Sequence, residues 1–187
     1  MPHVRSPLRL DEKRSALMVV DLQEKLCPVI PDARGIESEI VRMMDAAAVL
    51  SIPAAATVQY PRGLGNLVPA LHNAFPEPEE KGDFSAAVCR QALDTWLQTG
   101  RDQIVICGIE THICILQTVL DLLAEKLHPF VAVQAVGSRN QLDHELALQR
   151  MRDCGATLIS VESVLFEWLQ TSNRPEFKSI SQLVKSS

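Results

Sequence analysis

Ala16-Leu17-Met18-Val19-Val20, closed by Asp21, is the stretch on which the fold turns. Five apolar residues in a row are too few for a helix of useful length, and they lack the polar alternation of a strand with one wet face. The run therefore reads as a strand buried on both faces, the kind found in parallel sheets covered by helices. Downstream, apolar residues recur at helical spacing over 36–50 (Ile36, Ile40, Met43, Met44, Ala47, Leu50), and a second strand-like run, 54–58, follows Pro53. The same alternation continues with a helix over 84–97, a strand over 103–107 closed by Gly108, and a helix over 113–123 that is apolar on more than one face. A strand over 130–135, a helix over 142–154 and a strand over 156–160 come next, then helical turns at 164–169 and 177–184. Strands alternating with helices predict right-handed βαβ crossovers, and hence an α/β protein whose parallel sheet places its site at the carboxyl ends of the strands.

Between the second strand and the second helix, residues 59–82 hold Pro61, Gly63, Gly65, Pro69, Pro76 and Pro78. This composition predicts a long surface excursion, and long ordered loops in compact α/β domains usually serve function. The chain has 187 residues, 47% hydrophobic and 22% charged, which suits one globular domain over 1–187 with a core that needs no staples. Its net charge of −5 comes from interleaved acidic and basic residues, so no basic stripe invites nucleic acid. Five cysteines without CxxC spacing (Cys27, Cys89, Cys107, Cys114, Cys154) suit reduced thiols in a reducing compartment. No apolar run approaches the roughly 20 residues of a membrane span, and residues 1–15 lack the apolar core of a signal peptide. The expectation is a cytoplasmic protein that engages neither membrane nor nucleic acid. Organellar import stays open as an alternative, since Arg5, Arg9 and Arg14 are basic, although Asp11 and Glu12 interrupt them.

Three reactive groups stand at strand ends or beside them: Asp21, Lys81 and Cys114. Each alone has an ordinary explanation, as a turn cap, a solvated lysine and a small apolar residue of a buried helix. The text around them is more specific. VVDLQEK (19–25) is similar to the strand-end D-x-Q of the isochorismatase-like cysteine hydrolases. EKGDFSA (80–86) resembles their K-x-x-F-S, and GIETHIC (108–114) resembles their nucleophile turn, G-[IV]-x-x-x-x-C. Residues 59–65, 115–123 and 150–156 look like the branch known as isochorismatase domain-containing proteins.

The resemblance implies a three-layer αβα sandwich around a six-stranded, mainly parallel, doubly wound sheet. It implies Cys114 as nucleophile, Asp21 as the base that takes the thiol proton and returns it to the leaving group, and Lys81 as the cation favouring the thiolate. It further implies an oxyanion hole from the backbone N–H groups of Glu110 and Cys114, with a cis peptide between Ile109 and Glu110. A thiol in the first turn of a helix and beside a cation is expected to have a lowered pKa, so Cys114 should be the fastest of the five thiols to alkylate. Glu110 and Thr111 can equally be read as N-terminal caps. Gln23, Tyr60, Phe84 and His112 are candidate pocket residues; for Phe84 a place in the core is an equal reading, and His112 is read as a wall or contact and not as a base.

The metal-binding D-x-H of the nicotinamidase branch has no match in Thr57-Val58-Gln59-Tyr60-Pro61, and His72 alone is too few donors, so no metal or other cofactor is expected. Isochorismatases proper lack the nucleophilic cysteine, so Cys114 argues for amide or related acyl chemistry on a small molecule. The competing reading is a binding or regulatory protein on the same fold, which fold alone does not separate from an enzyme. A nuclease would want clustered basic groups or metal-binding carboxylates, and neither is present in the pattern. The apolar helix 113–123 and the stretch 161–169 predict a homo-oligomer.

Overall fold

The computed structural model describes residues 4–185. Strand β1 (Ser15–Val20) is buried at all six positions. Its side chains alternate between two cores: Leu17 and Val19 join one, Ala16, Met18 and Val20 the other. That alternation makes three layers. On the first face lie α1 (Ala33–Val49), α7 (Val161–Leu169) and α8 (Phe177–Lys185), which contribute Ile36, Ile40 and Met43, then Val164, Leu165 and Trp168, then Ile180. On the second lie α4 (Arg90–Gln98), α5 (Leu116–Ala124) and α6 (Gln141–Asp153), which contribute Leu93 and Trp96, then Val119 and Leu122, then Ala147 and Met151.

The sheet has six strands in the order β3-β2-β1-β4-β5-β6. Beside β1 these are β2 (Ala54–Gln59), β3 (Glu79–Lys81), β4 (Gln103–Ile109), β5 (His128–Gly137) and β6 (Thr157–Ile159), and every neighbouring pair is parallel. The chain winds from β1 to β2 to β3 in one direction, then returns to lay β4 on the other side of β1. The β1/β4 junction is therefore the point where the winding reverses, the place where α/β sheets open a crevice at their carboxyl ends.

Five of the strands follow the apolar pattern of the sequence. The sixth, β3, lies inside the excursion and is made of Glu79, Glu80 and Lys81, so no hydrophobic signal marks it. It is fixed by contacts instead. Its register pairs Thr57 with Glu79 and Gln59 with Lys81. The Glu79 carboxylate accepts from the N–H groups of Gln91 and Ala92, capping the start of α4 from a distant strand where Cys89 supplies no side-chain cap. The rest of the excursion is ordered too: it forms α2 (Pro61–Leu64) and α3 (Pro69–His72) and runs back along the segment after β1, with Glu24, Lys25 and Val68 N–H donating to Asn66, Leu64 and Leu22 carbonyls. The expected helix over 84–97 is broken: residues Ala86–Val88 form a 3-10 turn and α4 starts at Arg90. Among the described residues no helix is long and apolar enough to cross a membrane.

Candidate functional site

Gly108 sets the geometry at the β1/β4 junction. It pairs with Val20 and has φ +119°, and a Cβ there would sit 1.9 Å from the Val20 carbonyl oxygen. Only glycine lets the two strands close at this level. The β4–β5 register shifts between Ile106 and Gly108, the Ile109–Glu110 peptide is cis, and the chain enters a π-helical turn, Thr111–Ile115, in which the Ile115 N–H reaches the Glu110 carbonyl. That turn carries Cys114 into the crevice. Asp21 follows β1 directly, with φ 51°, and Lys81 is the last residue of β3.

The three side chains meet below the surface, with Asp21 0%, Lys81 3% and Cys114 7% exposed. Lys81 Nζ lies 2.6 Å from Asp21 Oδ2. The ammonium directs its hydrogens at Gln59 Oε1 (2.7 Å), Phe84 O (3.0 Å) and Asp83 O (3.3 Å), so its hold on Asp21 Oδ2 is an ion pair with no aligned hydrogen bond. Asp21 Oδ1 accepts from the Thr57 hydroxyl at 2.8 Å. The Cys114 thiol interacts with both members of the pair, and the outcome differs from the sequence expectation: burial pushes it up to about 12, the Asp21 charge adds to the rise, and Lys81 acts in the lowering direction without reversing it. The anion beside Cys114 and the loss of water outweigh the cation. The balance favours the protonated sulfur.

Thr57 and Gln59 were not singled out from the sequence. They hold the carboxylate and the ammonium, and the signal for them was available: two polar side chains two residues apart, hence on one face, in a strand otherwise made of Ala and Val. Gln59 also donates from Nε2 to the Gly82 carbonyl. Both side chains are committed to the ion pair, and the residues do not fit a metal. Among the described residues no group of three or more His, Cys, Asp and Glu is arranged to hold one, and His72 contacts the Leu67 carbonyl at 2.5 Å.

The remaining candidates separate. Gln23 is fully buried, but its amide is consumed by the backbone: Nε2 donates to Gln59 O and Gly65 O, and Oε1 accepts from Gln59 N. It clamps the excursion to β2 and offers nothing to a ligand. Tyr60 and Phe84 are 60% and 52% exposed and both are tied to Lys81, Tyr60 through its N–H to the Lys81 carbonyl and Phe84 through its own carbonyl to Nζ. Phe84 is therefore not a core residue. His112 Nδ1 lies 3.0 Å from Ser138 Oγ, turned toward the end of β5. Neither capping reading holds: Glu110 Oε2 accepts from the Arg139 N–H with the Arg139 guanidinium on Oε1, and Thr111 Oγ1 pairs with His144 Nδ1 at 2.9 Å. The Glu110 carboxylate is thus engaged by Arg139.

Comparison with known proteins gives one consistent family. The isochorismatase domain matches residues 15–163. Isochorismatase domain-containing protein 2A of Mus musculus is 40% identical over 181 residues, covering 95% of this chain and 85% of that one. Among solved structures, one described as the MAR1 ribonuclease of Caenorhabditis elegans superposes with a TM-score of 0.89 at 37% identity, covering 96% and 93% of the two chains. YcaC from Pseudomonas aeruginosa, described with hexane-2,5-diol and covalent acrylamide, gives 0.81 at 26% identity and 98% coverage of both. YcaC of Escherichia coli, described as an octameric hydrolase of unknown specificity, gives 0.81 at 23% identity, covering 98% and 99%, and so speaks for the fold alone. With the domain match spanning most of the chain and the sheet order and crevice described above, this chain belongs to the isochorismatase family.

Proposed function

We propose that the chain hydrolyses a small amide or related acyl compound through a thioester on Cys114. The observation that carries this reading is the buried Asp21–Lys81 ion pair acting on a thiol at the reversal point of the sheet. Because the resting sulfur holds its proton, attack and proton transfer are coupled: as the sulfur bonds to the acyl carbon, Asp21 accepts the thiol proton and Lys81 offsets the charge left on sulfur. The N–H groups of Glu110 and Cys114 would meet the developing oxyanion. Asp21 then passes its proton to the leaving amine. A water, deprotonated by Asp21, attacks the thioester, and the proton returns to sulfur as the acid departs. Tyr60 and Phe84 flank Lys81 and are the exposed surfaces a flat or apolar acyl group would meet.

The domain is read as one unit, and assembly into a homo-oligomer accompanies the proposal; most apolar residues of 113–123 and 161–169, on which that expectation rested, are spent in the two cores, and its support is instead exposed Leu142 and Leu146, one turn apart on α6. A ribonuclease activity is named for the C. elegans relative. Here the net charge of −5 and a triad recessed below the surface favour a small substrate over RNA. The test is incubation with a panel of small amides and esters, followed by hydroxylamine trapping of an acyl group on Cys114 and measurement of released ammonia or alcohol. Turnover that survives Cys114→Ala, or RNA cleavage lost with Cys114→Ala while every amide and ester is inert, would overturn the proposal.

A further inference from the structure

Lys81 and Cys114 arrive at the site from different parts of the sheet, β3 and the turn after β4, and the relation between them has to be held. One buried hydroxyl spans them. Thr118, 0% exposed on α5, donates through Oγ1 to the Cys114 carbonyl at 2.6 Å and accepts from the Ala86 N–H at 2.7 Å. The first bond alone is the common back-bond of a helical threonine. The second reaches 32 residues back along the chain, to the 3-10 turn Ala86–Val88. That turn follows directly on Asp83 and Phe84, whose carbonyls receive the Lys81 ammonium. Ser85 fixes the turn from its other side by accepting the Ala87 N–H. The path from the nitrogen of Lys81 to the backbone of Cys114 thus runs through the carbonyls of two exposed residues, a short turn and the buried Thr118 hydroxyl.

We infer that Thr118 is a positioning residue for Lys81: it locks the turn that holds the ammonium onto the backbone of the nucleophile, and so sets how strongly Lys81 favours the thiolate. This rests on the Asp21–Lys81–Cys114 reading of the site. A hydroxyl has one proton to donate and lone pairs to accept, and here both capacities are used. Valine matches threonine in shape and supplies neither bond. It leaves the Ala86 N–H unpaired where no water reaches, so the turn shifts and carries the carbonyls of Asp83 and Phe84 with it. Serine keeps both bonds.

The experiment is a double-mutant cycle read at the sulfur. Alkylation of Cys114 by iodoacetamide is followed by mass spectrometry between pH 8 and 10 in wild type, T118V, T118S, K81A and K81A/T118V. Exposed Cys154 is the internal reference and fully buried Cys107 reports on the fold. T118V is expected to slow Cys114 about threefold to tenfold relative to Cys154, the effect of a thiol pKa raised by about one to two units once the stronger nucleophilicity of the scarcer thiolate is counted. T118S stays within twofold of wild type. In the K81A background T118V adds no further change, because the group it positions is gone. Equal effects of T118V in both backgrounds, or a T118S as slow as T118V, would mean a merely structural role and overturn the inference. If T118V lets Cys107 label, T118A replaces it in the same cycle and is read by the same criteria. If K81A slows Cys114 and T118V does not, this inference alone falls; if K81A leaves Cys114 unchanged, the reading of the triad falls with it.

Discussion

Asp21→Asn should speed the alkylation of Cys114 while abolishing hydrolysis. The thiol is pushed up to about 12 by burial first and by the Asp21 charge second. At pH 8 a thiol with that pKa is ionised in about one molecule in 10⁴, whereas an ordinary exposed thiol near 8.5 is about a quarter ionised. The scarcer thiolate is the stronger nucleophile, which recovers about half of the difference on a logarithmic scale. Cys114 in the wild type is therefore expected to react tens of times more slowly than exposed Cys154 at pH 8, with a rate still climbing past pH 10. Two charges about 4 Å apart at an effective dielectric near 20 interact by about 4 kcal/mol, and the stronger screening of bulk water brings this to about 1 kcal/mol. Neutralising Asp21 then lowers the thiol pKa by about one to three units and speeds alkylation about threefold to thirtyfold. Lys81→Ala works the other way and by less, because the Lys81 charge acts in the lowering direction and is the smaller of the two influences on the thiol. The assay is iodoacetamide labelling across pH 7–11, site-resolved by mass spectrometry, in parallel with turnover of an amide substrate. Faster labelling of Cys114 than Cys154 in the wild type at pH 7, or slower labelling in Asp21→Asn than in the wild type, would refute the charge argument.

Glu79→Ala removes the carboxylate that caps α4 from β3 and is expected to cost about 1 kcal/mol, lowering the melting temperature by about 2–4 °C; calorimetry on the variant checks it. Gly108→Ala forces a Cβ to within 1.9 Å of the Val20 carbonyl at φ +119° and is expected to cost more than about 3 kcal/mol, seen as a large drop in the urea midpoint or as failure to accumulate folded protein; a midpoint within 0.5 M of wild type would contradict it.

The layers and five of the six strands were legible because burial on both faces leaves a plain mark: residues 16–20 are uniformly apolar, and so are 104–107. β3 left no such mark. It is an edge strand of three charged residues, held by register with Thr57 and Gln59 and by the bond from Glu79 to α4, none of which changes local hydrophobicity. The break near residue 89 escaped for a similar reason, since the helical period of the apolar residues continues through Ala86, Ala87 and Leu93 while the backbone does not.

The site divides along the same line. Asp21, Lys81 and Cys114 could be named because each ends or follows a strand and because short motifs surround them. Their pKa balance could not, since it is a sum over the third dimension. Sequence reasoning counted the cation and the helical turn near Cys114, both of which lower a thiol; it placed Asp21 at the sulfur as a base without weighing its charge, and had no access to how deeply the thiol is buried. With burial, the Asp21 charge and the Lys81 charge taken together, burial dominates, and the sign reverses. That reversal changes what the ion pair is for. A preformed thiolate would need Lys81 chiefly as its counter-ion, and Asp21 would only have to wait for the leaving group. In the proposed mechanism a thiol would need Asp21 as an acceptor from the first step, and Thr57 and Lys81 hold the two oxygens of that carboxylate. Gln59 in turn fixes the ammonium, so the two polar residues on one face of β2 serve one acceptor and one cation.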